Sequence, residues 1–494
     1  MKYEIVIGLE VHIELNTKSK MFCSCANDSD VKEPNTNICP VCIGHPGTLP
    51  VINKKAIEKT VKTGLALNCS IGEYSRFDRK NYFYPDLPKG YQISQHEHPL
   101  CSKGYLEVNG KKVKIRRIHL EEDAGKLVHP KGADHSLVDF NRSGVPLMEL
   151  VTDPDINLPT EASKIAEELR EILRYLEVSN VDMEKGEMRI DANISLSSAP
   201  GKLDGKRVEV KNLNSFRSIE GALEYEVERQ KKILDDGGKV KQETRGWDDQ
   251  KGVTIPQRSK EDSNDYRYFP DPDLPSLDLR DRSFIDLEKL RISIPELPKE
   301  KKVRLKTEYG LSDKEIDFMV RNKSLGDYYE KTVSELCNWV KESELRGSVD
   351  ENQYAELSRL VANYTLTDLQ SLLKGIEGGD NPINPENFAE FILMVYKGKM
   401  SSVIAKTVLK EMFETGGDPS NIIRERGLTE LKDESEIEGI IDSVIDDNPK
   451  AVDDYKKGKK ASVKFLVGQT MRKTGGRLDP EVIGGIIEKK LSVL

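Results

Sequence analysis

Tyr3-Glu-Ile-Val-Ile-Gly-Leu-Glu-Val-His-Ile-Glu-Leu15 carries apolar side chains at every odd position, with Glu4, Glu10, His12 and Glu14 between them. Successive side chains of a strand point to opposite faces, so this alternation predicts a half-buried strand with one core face and one face of carboxylates and an imidazole. Two more alternating runs, Met188–Leu196 and Arg207–Lys211, again put charged residues on a single face. Helical spacing over Thr160–Leu176 and Ser218–Leu234 interrupts these strands. Together they predict a mixed sheet with helices packed against it. The Pro- and Asp-rich run from Asp265 to Pro275 is expected to be irregular.

After about residue 290 the pattern changes to Leu, Glu and Lys at helical spacing, with no His and a single Cys337. Gly398, Gly416, Gly417 and Pro419 loosen it again. The expected class is α+β: an N-terminal mixed-sheet domain over 1–290, an all-α domain over 291–405 and an all-α tail over 406–494. Charge in the tail is polarised, with 4 basic and 11 acidic residues in 421–455 against 10 basic and 3 acidic in 456–494. Its last helix is expected to start at Asp479-Pro480, a cap followed by Pro at the first helical position, after a stop at Gly475-Gly476.

The chain has 494 residues and a net charge of -9, so any nucleic-acid contact must come from a local basic surface. Charged residues make up 33%, mean hydropathy is -0.57 and no apolar run approaches the length of a membrane span, so a membrane-spanning role is excluded. The first residues have no signal-peptide cleavage pattern, and the cytoplasm is the expected compartment.

Cys23-x-Cys25 and Cys39-Pro-Val-Cys42 form two close thiol pairs joined by a short loop, a spacing suited to a four-sulfur zinc site. A closed site of this kind staples a fold and leaves no position for catalysis. Four reduced structural cysteines are the plain alternative. Glu10, His12 and Glu14, the acidic run Glu121-Glu122-Asp123 after His119, and Glu149 offer the hard oxygens that suit Mg2+ beside nucleotide phosphates. Each could equally be a solvated surface charge. Gly104 and Gly110-Lys111-Lys112 do not make a phosphate-binding loop, since five residues separate the glycines and no Ser or Thr follows the Lys. Asn109-Gly110 reads as a hairpin turn. HExxH and GxSxG are both absent. Phe77–Asp86 and Asp265–Pro272 interleave aromatics with cations and could stack a base or pack as ordinary loops. Lys456, Lys457, Lys459, Lys460, Lys464, Arg472 and Lys473 could follow a phosphate backbone or form a solvated face.

Ile7-Gly-Leu-Glu-Val-His12, the four cysteines, Phe77–Asp86, Tyr91-Gln-Ile-Ser-Gln95, His119-Leu-Glu-Glu-Asp-Ala-Gly125, Asp139–Pro146, Val210–Ser215, Gln242-Glu-Thr-Arg245 and Asp265–Pro270 occur in order. In these motifs the chain resembles the B subunits of aspartyl/glutamyl-tRNA amidotransferases over nearly its whole length. The resemblance implies a cradle-like catalytic domain and a helical tail that binds tRNA. It implies ATP-dependent phosphorylation of the side-chain carboxylate of Glu on tRNA(Gln), or Asp on tRNA(Asn), and displacement of the phosphate by ammonia. It further implies two partners in a heterotrimer, an amidase (the A subunit) that supplies the ammonia and a small C subunit. Carried over residue by residue, it makes His12, Glu122 and Glu149 the magnesium set, with Glu10 beside them, and leaves open the choice within Glu121-Glu122-Asp123. Lys80, Arg189, Asp191 and Lys211 are the candidate phosphate or substrate contacts. The competing readings are a zinc-stapled tRNA-binding scaffold without catalysis and a free-standing ATP-dependent amide ligase.

Overall fold

The computed structural model describes residues 3–492 apart from 29, 131, 200, 260–265, 343–350, 375–380, 429–433, 458, 475–477 and 479. Asp265, Gly475-Gly476 and Asp479, used above, lie outside the described residues. The chain divides into two units, Met1–Pro298 and Lys299–Leu494.

A nine-stranded sheet forms the first unit. In chain order its strands are β1 (Glu4–Glu14), β2 (Ser70–Ile71), β3 (Cys101–Val108), β4 (Lys111–Glu122), β5 (Pro146–Thr152), β6 (Met188–Ser197), β7 (Val208–Leu213), β8 (Glu243–Asp248) and β9 (Val253–Ser259). Their spatial order is β9-β8-β7-β6-β1-β5-β4-β3-β2, which puts the alternating N-terminal strand at the centre. All neighbours are antiparallel except β7 and β8. That parallel pair follows from its connection, because helix α3 (Phe216–Asp235) carries the chain back between the two strands.

Helices α1 (Lys54–Ala66), α2 (Pro159–Tyr175) and α3 cover the apolar face. Each starts where the sequence supplies a signal: Asn53 accepts from the Lys55 and Ala56 amides, Pro159 opens α2, and the Ser215 hydroxyl accepts from the Ser218 amide. In α2 the buried stripe Ala162, Ile165, Ala166, Leu169, Ile172 and Leu173 recurs every three or four residues. Beneath the helices, Ile7, Leu9, Val11 and Ile13 are almost wholly buried, each worth roughly 1.5–3 kcal/mol of transfer free energy. The opposite face therefore holds every even-numbered polar residue of β1. Over it lies a small three-stranded sheet of Asp78–Asn81, Tyr91–Ser94 and Phe269–Pro270. The proline-rich segment is thus less irregular than expected, since Phe269 and Pro270 pair with Arg79 and Asp78.

Among its described residues the second unit is helical. The helix Pro385–Tyr396 packs on Lys323–Glu342 and also on Ser402–Thr415 and Pro419–Arg426, across residue 405. Helices Glu434–Asp447, Pro449–Lys456, Ala461–Lys473 and Pro480–Leu491 share their own apolar core of Ile437, Ile441, Val444, Leu466, Ile483 and Ile487.

The two glycines that could suggest a phosphate loop have separate structural duties. Asn109 (φ 51°) and Gly110 (φ 79°) make the left-handed turn of the β3–β4 hairpin. Gly104 lies inside β3, where an added Cβ would sit 2.2 Å from Cys69 Sγ and 2.7 Å from the Leu67 carbonyl oxygen. Gly104→Ala is expected to destabilise the first unit by about 1–3 kcal/mol, read as a lower urea midpoint with native-like circular dichroism before the transition.

Candidate phosphoryl-transfer site on the polar face of the sheet

Strand register sets the site. His119 of β4 lies opposite Glu149 of β5, Glu149 opposite His12 of β1, and His12 opposite Arg189 of β6, so four charged or titratable side chains share one rung across four strands. The next rung carries Arg117, Glu10 and Asp191. The Glu149 carboxylate oxygen Oε2 is 3.5 Å from His12 Nε2 and 3.4 Å from His119 Nε2. Glu121, two residues beyond His119 on the same face, brings Oε1 to 4.0 Å from His12 Nε2. One ligand atom from each of His12, Glu121 and Glu149 lies within 4.8 Å of the others, a set that fits a divalent cation.

The resemblance assigned Glu122 to this set, and the geometry brings Glu121 instead. Adjacent residues of a strand face opposite ways. The Glu122 carboxylate is turned away, accepting from Lys89 Nζ and, at 2.9 Å, from the Ile93 amide. There it lines a cavity of about 210 Å³ together with Cys23, Cys42, Lys89 and Tyr91.

Charge around the rung is unevenly balanced. Burial would push the Glu149 carboxyl up, but the two imidazoles beside it hold it well below the usual carboxylate range. Burial opposes protonation of His12, and the hydrogen bond and charge of Glu149, with Glu121, outweigh it and raise the imidazole. Glu10 is raised by burial and then by Glu149, Glu209 and Asp191, and it accepts from Asn193 Nδ2 at 3.0 Å. Lys211 lies 2.8 Å from Asp191 and 3.3 Å from Glu209. The β6–β7 register shifts between Ile190 and Ala192, where Asp191 stands against two residues of β7, Lys211 and Asn212, and Asn212 takes a left-handed φ of 66°. Lys80, on the Asp78–Asn81 strand, is held protonated chiefly against burial by Glu121, followed by Tyr268 and Glu149. Lys80, Arg189, Asp191 and Lys211 thus all belong to the polar face or its cover.

Sequence reasoning gave no role to Arg142, which ties together a second group on that face. Arg142 binds Asp123 at 2.6 Å through Nε and Glu14 through Nη2, and Arg189 Nη2 binds the same Asp123 oxygen at 2.9 Å. Burial works against ionisation of Asp123, yet the two guanidinium groups lower its pKa. Arg117 and His119 were also passed over. The alternation Ile115-Arg-Arg-Ile-His119-Leu-Glu121 could have placed Arg117, His119 and Glu121 on one face. Three polar atoms around the rung, Arg117 Nε, His119 Nδ1 and Arg189 Nε, are buried with no hydrogen-bond partner among the described residues.

The four cysteines do converge, with their sulfurs within 4.8 Å of one another, a cluster compatible with zinc. Cys42 is held near a pKa of about 5, first by the hydrogen bond from Cys23 and despite its burial, with Lys20 assisting. Lys20 is fully buried, its Nζ 3.9 Å from Cys42 Sγ and 2.9 Å from the Asn37 carbonyl. A buried cation beside a cluster of thiolates offsets their negative charge. Asn141 fastens the same loop by accepting from the Asn37 amide at 2.9 Å and donating to the Glu33 carbonyl at 2.7 Å.

Comparison with known proteins gives the family. A family profile described as the GatB/GatE catalytic domain matches residues 5–285, and one described as the GatB domain matches residues 349–491. The B subunit of the aspartyl/glutamyl-tRNA(Asn/Gln) amidotransferase from Thermotoga maritima is 48% identical, covering 99% of each chain. Those of Thermoanaerobacter pseudethanolicus and Carboxydothermus hydrogenoformans are 46% identical over the full length of both chains. This chain belongs to the family of amidotransferase B subunits. The profile's catalytic portion covers every strand of the sheet that carries the rung. Among the described residues of this family member, no helix is long and apolar enough to cross a membrane.

In the tail, the seven cations singled out from the sequence divide by their partners. Lys459 is paired with Asp454 at 3.0 Å, and Lys473 with Asp447 at 3.1 Å. Lys456, Lys457, Lys460, Lys464 and Arg472 are exposed and, among the described residues, not ion-paired.

Metal analysis of the reduced, purified chain is expected to find one zinc per molecule, and none in Cys42→Ser. Lys20→Met keeps all four sulfurs but is expected to surrender the metal to a chelator faster, because the buried counter-charge is gone.

Proposed function

We propose that this chain uses ATP to phosphorylate the side-chain carboxylate of glutamate on tRNA(Gln) or aspartate on tRNA(Asn), then lets ammonia displace the phosphate. Its place in the family supports the reaction class, and one observation carries the site. Two guanidinium Nε donors and an imidazole nitrogen stand buried and unpartnered around a rung that also holds a cation-ready His–Glu–Glu set. Buried polar groups without partners are rare, and the two guanidinium donors beside one site fit an anionic substrate.

In the first step a carboxylate oxygen attacks the γ-phosphorus and the bond to ADP breaks. In the second, ammonia attacks the acyl carbon, phosphate leaves with the bonding oxygen and the nitrogen gives up a proton. Phosphoryl transfer needs chiefly positioning and neutralisation of oxygens. Bound at His12, Glu121 and Glu149, a magnesium ion would supply that neutralisation. Arg117 and Arg189 would bind phosphate oxygens through their free Nε–H groups. Asp123, itself held by Arg142, binds the Arg189 guanidinium through Nη2 and so fixes its position. Lys80 and Lys211 hold positive charge over the same face.

Its relatives are named as one part of a larger enzyme, so the chain works in a complex, with an amidase delivering ammonia and a small third protein completing the heterotrimer. The cytoplasm is the compartment that suits such a translation enzyme. Chemistry belongs to the sheet domain within 1–290, and tRNA is held by the tail within 406–494. The zinc cluster acts as a staple for the loop beside Glu122.

The decisive experiment combines this chain with its amidase and small partners, ATP, glutamine and Glu-tRNA(Gln) or Asp-tRNA(Asn). Gln or Asn is expected on the recovered tRNA, and formation of neither would overturn the assignment. Glu149→Gln and Glu121→Gln are expected to remove at least 100-fold of the phosphorylation rate, on the order of 3 kcal/mol in the barrier, while tRNA affinity holds. A scaffold without catalysis would be indifferent to both changes. In the tail, Lys464→Ala and Arg472→Ala are each expected to reduce the salt slope of tRNA binding by about 0.9, whereas Lys473→Ala, already neutralised by Asp447, changes it less.

A further inference from the structure

The aromatic-rich loops that the sequence left as either base-stacking or ordinary packing come together in the fold. Asn81 donates its amide to the Tyr266 carbonyl at 2.8 Å and its side-chain Nδ2 to the Arg267 carbonyl at 2.8 Å, which joins the two segments. Arg79 holds the later one a few residues on, binding Asp271 and Asp273 at 2.8 Å each. Between the tyrosines, Arg267 adopts φ +41°, a left-handed conformation that an arginine takes only when its surroundings impose it.

What this strain supports is a continuous aromatic wall. Tyr82 and Tyr266 meet edge to face at 5.8 Å, Tyr266 and Tyr268 at 6.1 Å, and His96 lies flat on Tyr268 with ring centres 4.1 Å apart and planes 16° from parallel. Lys80 Nζ stands 5.0 Å from the Tyr266 ring centre and 5.8 Å from that of Tyr82. The wall adjoins the rung, because the two residues that precede His96 touch the strand that carries it: the Ser94 hydroxyl donates to Glu121 Oε2 at 3.2 Å and the Gln95 side-chain oxygen accepts from the Leu120 amide at 3.0 Å. His96 is exposed while Tyr268 is half-buried, so the stack ends on the imidazole.

We propose that the His96–Tyr268 stack seats an adenine ring, laid on the open side of the imidazole with its sugar and phosphate directed toward Lys80 and the His12–Glu149 rung. This deepens the reaction proposed above and rests on it for the identity of the ligand. Both substrates of that reaction carry adenosine: ATP itself, and the 3′-terminal nucleotide of tRNA to which the amino acid is esterified. Stacking needs only a π-face, which is why neither a glycine-rich loop nor a base-reading side chain is required.

The test uses the assembled heterotrimer and measures equilibrium dissociation constants for ATP, for tRNA and for tRNA lacking its terminal adenosine. His96→Leu and Tyr268→Leu are expected to weaken one of the first two about tenfold, within the range of base–aromatic stacking, while His96→Phe stays close to wild type. Weaker ATP binding alone assigns the seat to the nucleotide. Weaker binding of intact tRNA alone, with the trimmed tRNA unaffected, assigns it to the acceptor end. Unchanged constants, equal losses for both ligands, or a His96→Phe loss as large as that of His96→Leu overturn the proposal. Should Tyr268→Leu fail to fold, the exposed His96 decides the matter. These titrations need no turnover, so a complex that formed neither Gln nor Asn would count against the reaction and leave the stacking seat to its own measurements.

Discussion

Glu149 is the residue on which the polar half of the sheet depends. Its carboxylate sits between two imidazoles in the middle of the sheet, close to full burial, and stays ionised only because those neighbours compensate for the lost water. An ionised group at that depth without partners would be costly. The pair of histidines and the cations overhead meet that need, and with the Glu121 oxygen beside them the arrangement can hold a divalent ion against phosphate oxygens.

The constraint that builds the rung is the two-residue period of the strand, and it explains what the sequence disclosed and what it withheld. The alternation of β1 was visible at once, and with it the shared face of Glu10, His12 and Glu14. The cysteine pairs were equally plain, because metal spacing is a local property. Cross-strand register was not legible, since it depends on which strands become neighbours. His119 therefore passed without a role, although it lies beside Glu149, and Glu122 was preferred to Glu121 on resemblance. Counting the pleat from His119 would have separated the two glutamates. The Arg142–Asp123–Arg189 linkage was harder still, because Arg142 comes from a loop between strands and reaches Asp123 and Glu14 only after the sheet has closed.

Partnering also sorts residues of one chemical type into different duties. Lys20 serves the sulfur cluster, Lys89 faces Glu122 on the far side of the pleat, and Lys80 leans over aromatic rings on the rung's side. In the tail, carboxylates of neighbouring helices already engage Lys459 and Lys473, so the formal charge of that segment overstates what remains for a polyanion.

The central position of β1 has a consequence for biosynthesis. This strand leaves the ribosome well before β5 and β6, the two strands it pairs with, whose residues begin more than a hundred positions later. Until they emerge, Ile5, Ile7, Leu9, Val11 and Ile13 form an unsheltered oily ribbon with free edges, the kind of nascent segment that chaperones hold and that aggregates when translation outruns folding. Closure of the sheet must await synthesis of most of the first unit, so this protein matures late on the ribosome and slowly, as long-range strand pairing dictates.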